Sequence, residues 1–161
     1  MKLIPKRKMI SPTPETMLDV IQNIYSSVSS AIMGDSSGGG GVQYSGIAFI
    51  IDGGGATITA GEKGHVSVPF NCEILAGELS ATPSGSITVD IWKGTIGNFP
   101  PTDANTITGS SPLAISGGLT EFDSALTGWT KKINRFNILA FNVDSCSTIT
   151  RCTVTLHVKR T

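Results

Sequence analysis

Between Ser84 and Gly94 apolar and polar residues alternate: Ile87, Val89 and Ile91 fall to one side of an extended chain, and Thr88, Asp90 and Trp92 to the other. Strand side chains alternate with period 2, so the stretch predicts a strand with one apolar and one mixed face. Gly85 and Gly94 punctuate it. Similar short patterns predict strands over 46–52, 56–59, 65–70, 72–81, 86–93, 120–125, 137–143 and 148–159, with a weak one near 105–108. Gly53-Gly54-Gly55, the segment Gly61 to Gly64, Thr82-Pro83-Ser84-Gly85 and Gly117-Gly118 supply turn signals between them. Leu139, Phe141 and Val143 oppose Ile138 and Ala140, which marks a central strand buried on both faces. In the last strand Cys152, Val154, Leu156 and Val158 form one face, opposite Arg151, Thr153, Thr155 and His157. Many short strands without a helical window predict an all-β domain over 42–161, an antiparallel, jelly-roll-like β-sandwich.

The segment before it follows a different period. Thr13-Pro14-Glu15 is a helix start, with a capping Thr, Pro at the first helical position and an acid in the first turn. Met17, Ile21, Ile24, Val28 and Ala31 then recur at spacings of 4, 3, 4 and 3 up to Gly34. This predicts an amphipathic helix over 13–33 with a coiled-coil seam. Ile at core positions of both kinds favours three strands, so Met17, Ile21, Ile24 and Val28 are the candidate trimerisation residues. Docking of the helix on another protein, or on its own domain, gives the same pattern. So short a seam is marginal alone, and further trimer contact must come from elsewhere. Residues 34–41 form a Gly/Ser linker. Residues 1–12 are basic and interrupted by Pro5 and Pro12, an extended arm that orders on docking; Lys6, Arg7 and Lys8 are its candidate anchor.

Charged residues make up only 15% of the 161, against about 25% in ordinary soluble domains, and formal net charge is zero. Gly, Ser and Thr take their place, as expected of a turn-rich β protein with a neutral face. No concentrated positive patch marks a nucleic-acid binder. No stretch nears the ~20 apolar residues of a membrane span, and no apolar run follows the basic start as in a signal peptide. The expectation is a cytoplasmically made, soluble protein without membrane insertion. The three cysteines, Cys72, Cys146 and Cys152, lack a CxxC pair. They suit reduced, apolar-packed thiols, with a Cys146–Cys152 bridge as the alternative.

Chemistry is sparse. The run from Gly53 to Lys63 has the glycines of a phosphate loop but five residues between them, and Glu62 separates Gly61 from Lys63; a β-turn is the better reading. His65 and His157 lie far apart without partners at metal-ligand spacing. The carboxylates are scattered, no paired-acid arrangement emerges around Asp90, and no Gly-x-Ser-x-Gly elbow occurs. The expectation is a non-enzymatic protein without cofactor or metal. Asp90 with Trp92, Phe99 in the long 95–119 connection, and Trp129 are the candidate contacts. An indole beside carboxylate and amide groups can hold a sugar; packing of both tryptophans into the domain or a subunit interface is the other reading.

Several blocks are similar to a known family. Phe49-Ile50-Ile51-Asp52-Gly53-Gly54-Gly55, Gly64-His65-Val66-Ser67-Val68-Pro69-Phe70 and Gly85-Ser86-Ile87-Thr88-Val89-Asp90-Ile91-Trp92-Lys93 resemble a module of tailed-bacteriophage virion proteins. So do Phe99-Pro100-Pro101-Thr102, Leu126-Thr127-Gly128-Trp129 and Ile138-Leu139-Ala140-Phe141-Asn142-Val143-Asp144-Ser145. The blocks run in order over roughly 46–160. The resemblance implies a virion appendage of head-fibre, decoration or tail-fibre type, usually trimeric, and it carries no catalytic residues to transfer. The expected partners are further copies of the chain and capsid, collar or tail proteins contacted through 1–33; a host-surface glycan held by Trp92 or Trp129 and the 95–119 connection is the alternative.

Overall fold

The computed structural model describes Ile21, Gln22 and residues 41–161. The chain divides into two compact units, Met1–Gly41 and Val42–Thr161. Of the first unit, Ile21 and Gln22 have helical backbone and are exposed. The remainder of the expected helix, with Met17, Ile24 and Val28, lies outside the described residues, as do Lys6, Arg7, Lys8 and the linker before Gly41.

The second unit is all-β and antiparallel. Its strands are β1 (Tyr44–Asp52), β2 (Gly61–Ser67), β3 (Cys72–Gly94), β4 (Leu113–Asp123), β5 (Lys132–Ile133), β6 (Ile138–Ser147) and β7 (Arg151–Arg160). Short 3-10 turns at Ile96–Asn98 and Asp103–Asn105 lie between β3 and β4. The alternation in β7 and the two-sided burial of Leu139, Ala140 and Phe141 in β6 match the sequence pattern.

The departure is β3. The expected turn at Thr82-Pro83-Ser84-Gly85 is not a turn: one 23-residue strand runs through it. Its first part, Cys72–Thr82, pairs with β7, and its second part, Ser86–Gly94, pairs with β6 on the same edge. Along the other edge β4 pairs with both parts, from Gly77 to Val89. The expected turn at Gly117-Gly118 likewise lies inside β4, opposite the β3 discontinuity, where Gly117 N–H donates to Ser86 Oγ at 3.0 Å. Both strands therefore crease together, and all seven form one hydrogen-bonded sheet in the order β1-β7-β3-β6-β2, with β4 and β5 on β3.

The backbone groups left unpaired at the crease have other partners. Pro83 has no N–H to lose. The Thr82 carbonyl accepts from Thr150 N–H (3.1 Å) and Thr150 Oγ1 (3.2 Å), and the Ser84 carbonyl accepts from Thr148 Oγ1 (2.8 Å). The β6–β7 turn thus seats in the crease. Gly85 permits this: a Cβ there would lie 2.2 Å from Thr148 Oγ1 and 2.3 Å from the Ser147 carbonyl oxygen.

The crease also explains the curl. β1 and β2 are opposite ends of the strand order, yet the Phe49 ring of β1 stacks on Phe141 of β6 with centroids 4.6 Å apart. Gly64 of β2 lies against the same ring, and a Cβ there would meet Phe49 Cζ at 2.9 Å. The sheet wraps one apolar core in which Ile51, Ile74, Leu79, Ile87, Ile91, Leu139, Phe141 and Leu156 are all at most 1% exposed. Expected strand 56–59 is instead a loop; buried Ile58 donates its N–H to the Ile149 carbonyl, so the segment is held to the crease turn rather than to a ladder. The expected turn 61–64 is the start of β2, with a bulge between Glu62 and Gly64.

Gly85→Ala forces a methyl group against a backbone oxygen, and overpacking of this kind costs about 1–3 kcal/mol. The urea midpoint should fall with the slope unchanged. Gly97→Ala, with nothing within 4 Å of the new Cβ, should change stability by less than about 0.5 kcal/mol. Equal effects at the two sites would contradict the crease.

Candidate functional site

Asp90 leaves the outward face of β3, where the sequence places it, yet it is only 6% exposed. The reason is the connection after β3, which folds back over the strand. Thr106 forms an antiparallel bridge with Trp92, and Ile107 N–H donates to the Ile91 carbonyl at 2.8 Å. Alternation in this short extended piece sends Ile107 into the core and turns Thr106 and Thr108 toward Asp90. Asp90 Oδ1 accepts from Ile91 N–H (2.7 Å), Thr106 Oγ1 (2.6 Å) and Thr108 Oγ1, while Oδ2 accepts from Trp92 Nε1 (2.7 Å). Four donors around one carboxylate make its burial tolerable, since a buried charge must be fully hydrogen-bonded. The two residues expected to meet a sugar or subunit are thus brought together, but Asp90 is engaged by its own chain.

Register places Trp92, Ala140 and His65 in one row across β3, β6 and β2. The Phe99 ring meets His65 edge-on, with centroids 4.7 Å apart. His65 Nε2 lies 3.2 Å from Glu62 Oε1 but outside hydrogen-bond geometry, and makes no hydrogen bond. Phe99 is 52% exposed, the most open of the four expected contact residues, while Trp92 is half-buried. Trp129 joins the core instead: it is 8% exposed, and its Nε1 donates to the Ser111 carbonyl at 2.8 Å. Thr130 N–H donates to the Ile107 carbonyl at 2.8 Å, so the Trp129 segment and β3 clamp residues 106–108 from two sides.

This outer face is acidic. Burial pushes the Asp144 carboxyl up, the Asn142 amide opposes the shift at 2.7 Å, and the charges of Asp90 and Asp103 add to the rise. Elsewhere, Asp52 is held below the ordinary carboxylate range first by Gly54 N–H (2.7 Å) and second by Arg151 (2.8 Å). Glu78 is lowered by hydrogen bonds from His157 (2.9 Å) and Ser80 (3.2 Å). Burial, with Cys146 adding, pushes the Cys152 thiol up to about 11, which makes it an inert packing group rather than a nucleophile. All three cysteines are free. Among the described residues no group of three or more His, Cys, Asp or Glu is placed to hold a metal ion.

Two recesses open elsewhere. One of about 420 Å³ is lined by Cys72, Glu73, Lys131, Lys132 and Thr161, with opposite charges on its walls. The other, about 110 Å³, lies at the C-terminal end of β3 between Lys93, Gly94, Thr95, Asn98, Asn105 and Asn137. Sequence reading missed both this polar pocket and the Thr106–Thr108 pair. The signal for the pair was present: two threonines at period 2 within the weak 105–108 strand pattern. The pocket lines up residues from three segments, which no local pattern reveals.

No family model matches the chain, and no curated protein matches it. One solved structure, the capsid asymmetric unit of cyanophage Pam1, is similar at 19% identity and a TM-score of 0.27, over 78% of this chain and 87% of that one.

Asp90→Asn replaces one acceptor oxygen by a donor facing hydroxyl or indole donors. Hydrogen bonds to charged groups contribute about 1.5–3 kcal/mol each, so a loss of ~3 kcal/mol is expected in denaturant titration. Limited proteolysis should then cut within 95–112; an intact connection would contradict the role of Asp90. For Asp52 the larger cause is the backbone N–H. Arg151→Ala should therefore leave its carboxyl below the ordinary range in a carbon-detected NMR titration. Because the folded carboxyl is the more acidic, its contribution is present above the unfolded value and fades as pH falls through the folded one. A return to the ordinary value in Arg151→Ala would make the ion pair the dominant cause.

Proposed function

We propose that this chain is a non-enzymatic structural protein of a tailed-phage virion. In this reading it is a homotrimeric head-fibre or decoration appendage, anchored by its N-terminus and displaying residues 42–161 as a jelly-roll-like knob. The observation that carries the reading is the ordered series of sequence blocks resembling phage virion modules. Those blocks hold framework positions in this fold. Gly85 forms the crease, Asp90 and Trp92 hold the connection after β3, Trp129 clamps it, and 138–145 supply most of β6. Asp90, the carboxylate weighed for acid-base chemistry, is spent on holding the chain, which supports a role without catalysis. Lys6, Arg7 and Lys8 serve as the docking arm for capsid, collar or tail proteins. Met17, Ile21, Ile24 and Val28 form the trimer seam, and the exposed helical Ile21 supports an apolar partner there.

A second reading makes the chain a short tail or receptor-binding fibre whose knob binds host-surface carbohydrate. It is favoured by the exposed Phe99, which directly follows pocket residue Asn98.

Sedimentation equilibrium at micromolar concentration should give three times the 16.8 kDa chain mass. Removal of residues 1–41 should leave residues 42–161 folded but no longer able to decorate particles. A full-length monomer would overturn the trimer, and a truncated protein that still attaches would overturn the anchor.

A further inference from the structure

The pocket at the end of β3 differs in charge from the face beside it. Beside the pocket, Asp90 and Asp103 are close enough to Asp144 for their charges to push its carboxyl up, after burial itself. The pocket is lined by Lys93, Gly94, Thr95, Asn98, Asn105 and Asn137, with no Asp or Glu among them. Lys93 Nζ donates to the Lys132 carbonyl at 3.1 Å, which leaves two of its three protons for other acceptors. Asn105 Oδ1 accepts from Thr102 N–H at 3.0 Å, and this fixes the amide so that its NH2 is the group left to bind. Asn137 is 9% exposed; its Oδ1 accepts from Asn134 N–H at 2.8 Å and its Nδ2 donates to the Gly94 carbonyl at 3.4 Å, so it forms a fixed wall. Among the described residues the Asn98 side chain makes no hydrogen bond. The free groups are therefore mainly donors around a single positive charge.

We propose that this pocket binds the carboxylate of an acidic sugar. The inference deepens the carbohydrate-binding reading and rests on it. Three features select that ligand class. The donors of Lys93 and Asn105 suit a singly charged oxygen acceptor, and burial weakens Lys93's hold on its proton unless an anion is present. The Asn98 amide and Thr95 hydroxyl suit sugar hydroxyls, which both donate and accept. The recess is small, about 110 Å³, which suits a carboxylate group rather than a whole sugar ring, and exposed Phe99 follows Asn98 in the chain. A neutral sugar gains no ion pair there, and the acidic face around Asp144 repels the carboxylate. Selectivity for acid over neutral sugar is thus built into the position of Lys93.

The test is titration of the full-length protein with glucuronate, glucose and acetate, followed by amide NMR. Glucuronate should shift the side-chain amide signals of Asn98 and Asn105 with a dissociation constant on the order of 1 mM, as expected of so small a ligand. Glucose and acetate should each bind at least tenfold more weakly. Lys93→Gln should weaken glucuronate at least fivefold with its amide spectrum otherwise unchanged. Asn105→Asp keeps the acceptor for Thr102 and should reject glucuronate alone. Acetate binding as tightly as glucuronate would overturn the sugar assignment. Glucuronate shifts confined to Trp92 and Phe99, indifferent to Lys93→Gln, would overturn the pocket and leave the carbohydrate reading standing. Absence of any shift would overturn the pocket, and absence of binding to host surface polysaccharide as well would remove that reading too.

Discussion

Everything in the β domain depends on a close approach between one strand and one turn. β3 stays a single strand through Thr82-Pro83-Ser84-Gly85 because the β6–β7 turn supplies the hydrogen bonds that the ladder does not. Only a residue without a Cβ lets Thr148 and Ser147 reach that depth. With the crease in place, the same strand serves β7 and then β6, while β4 follows it along the other edge. The sheet must then curl, and its end strands meet through Phe49, Phe141 and Gly64. Non-local pairing of this kind ties the core together: β4, β5, β6 and β7 all pair with β3, and β1 and β2 attach through β7 and β6.

The second part of β3 carries the candidate surface. Its outward Asp90 gathers Thr106 and Thr108, and Trp129 holds the far side of the same segment through Ser111. A connection that would otherwise be a long mobile loop becomes a fixed shelf, and its two 3-10 turns bring Asn98 and Asn105 beside Lys93. Binding groups on an irregular connection, positioned by a rigid scaffold, are a common arrangement. The shelf separates an acidic outer face from a donor-lined pocket within a few residues of one strand.

Much of this was legible in the sequence. Alternation in 86–93 and in the last strand is a period-2 signal set by local geometry, and it located both strands and their buried faces. The turn signal at Thr82-Pro83-Ser84-Gly85 misled, because Pro and Gly mark a turn only when nothing else satisfies the backbone. Here Thr148 and Thr150, over sixty residues away, do so. The sequence places Asp90 on the outward face of β3, where water, a sugar or a neighbouring subunit is the expected partner. The partner was Thr106 with Thr108, and their approach is a tertiary event that spacing along the chain does not encode. Trp129, with sugar holding and packing as its two readings, lies on the packed side.

The central claim is that β3 is one strand shared by the whole domain, and native-state amide hydrogen exchange tests it most directly. Amides buried in 72–80 and in 86–94 should exchange with the same free energy, equal to that of global unfolding. Exchange of one part through a separate, lower-energy opening, with the other still protected, would show two independent strands and contradict the account.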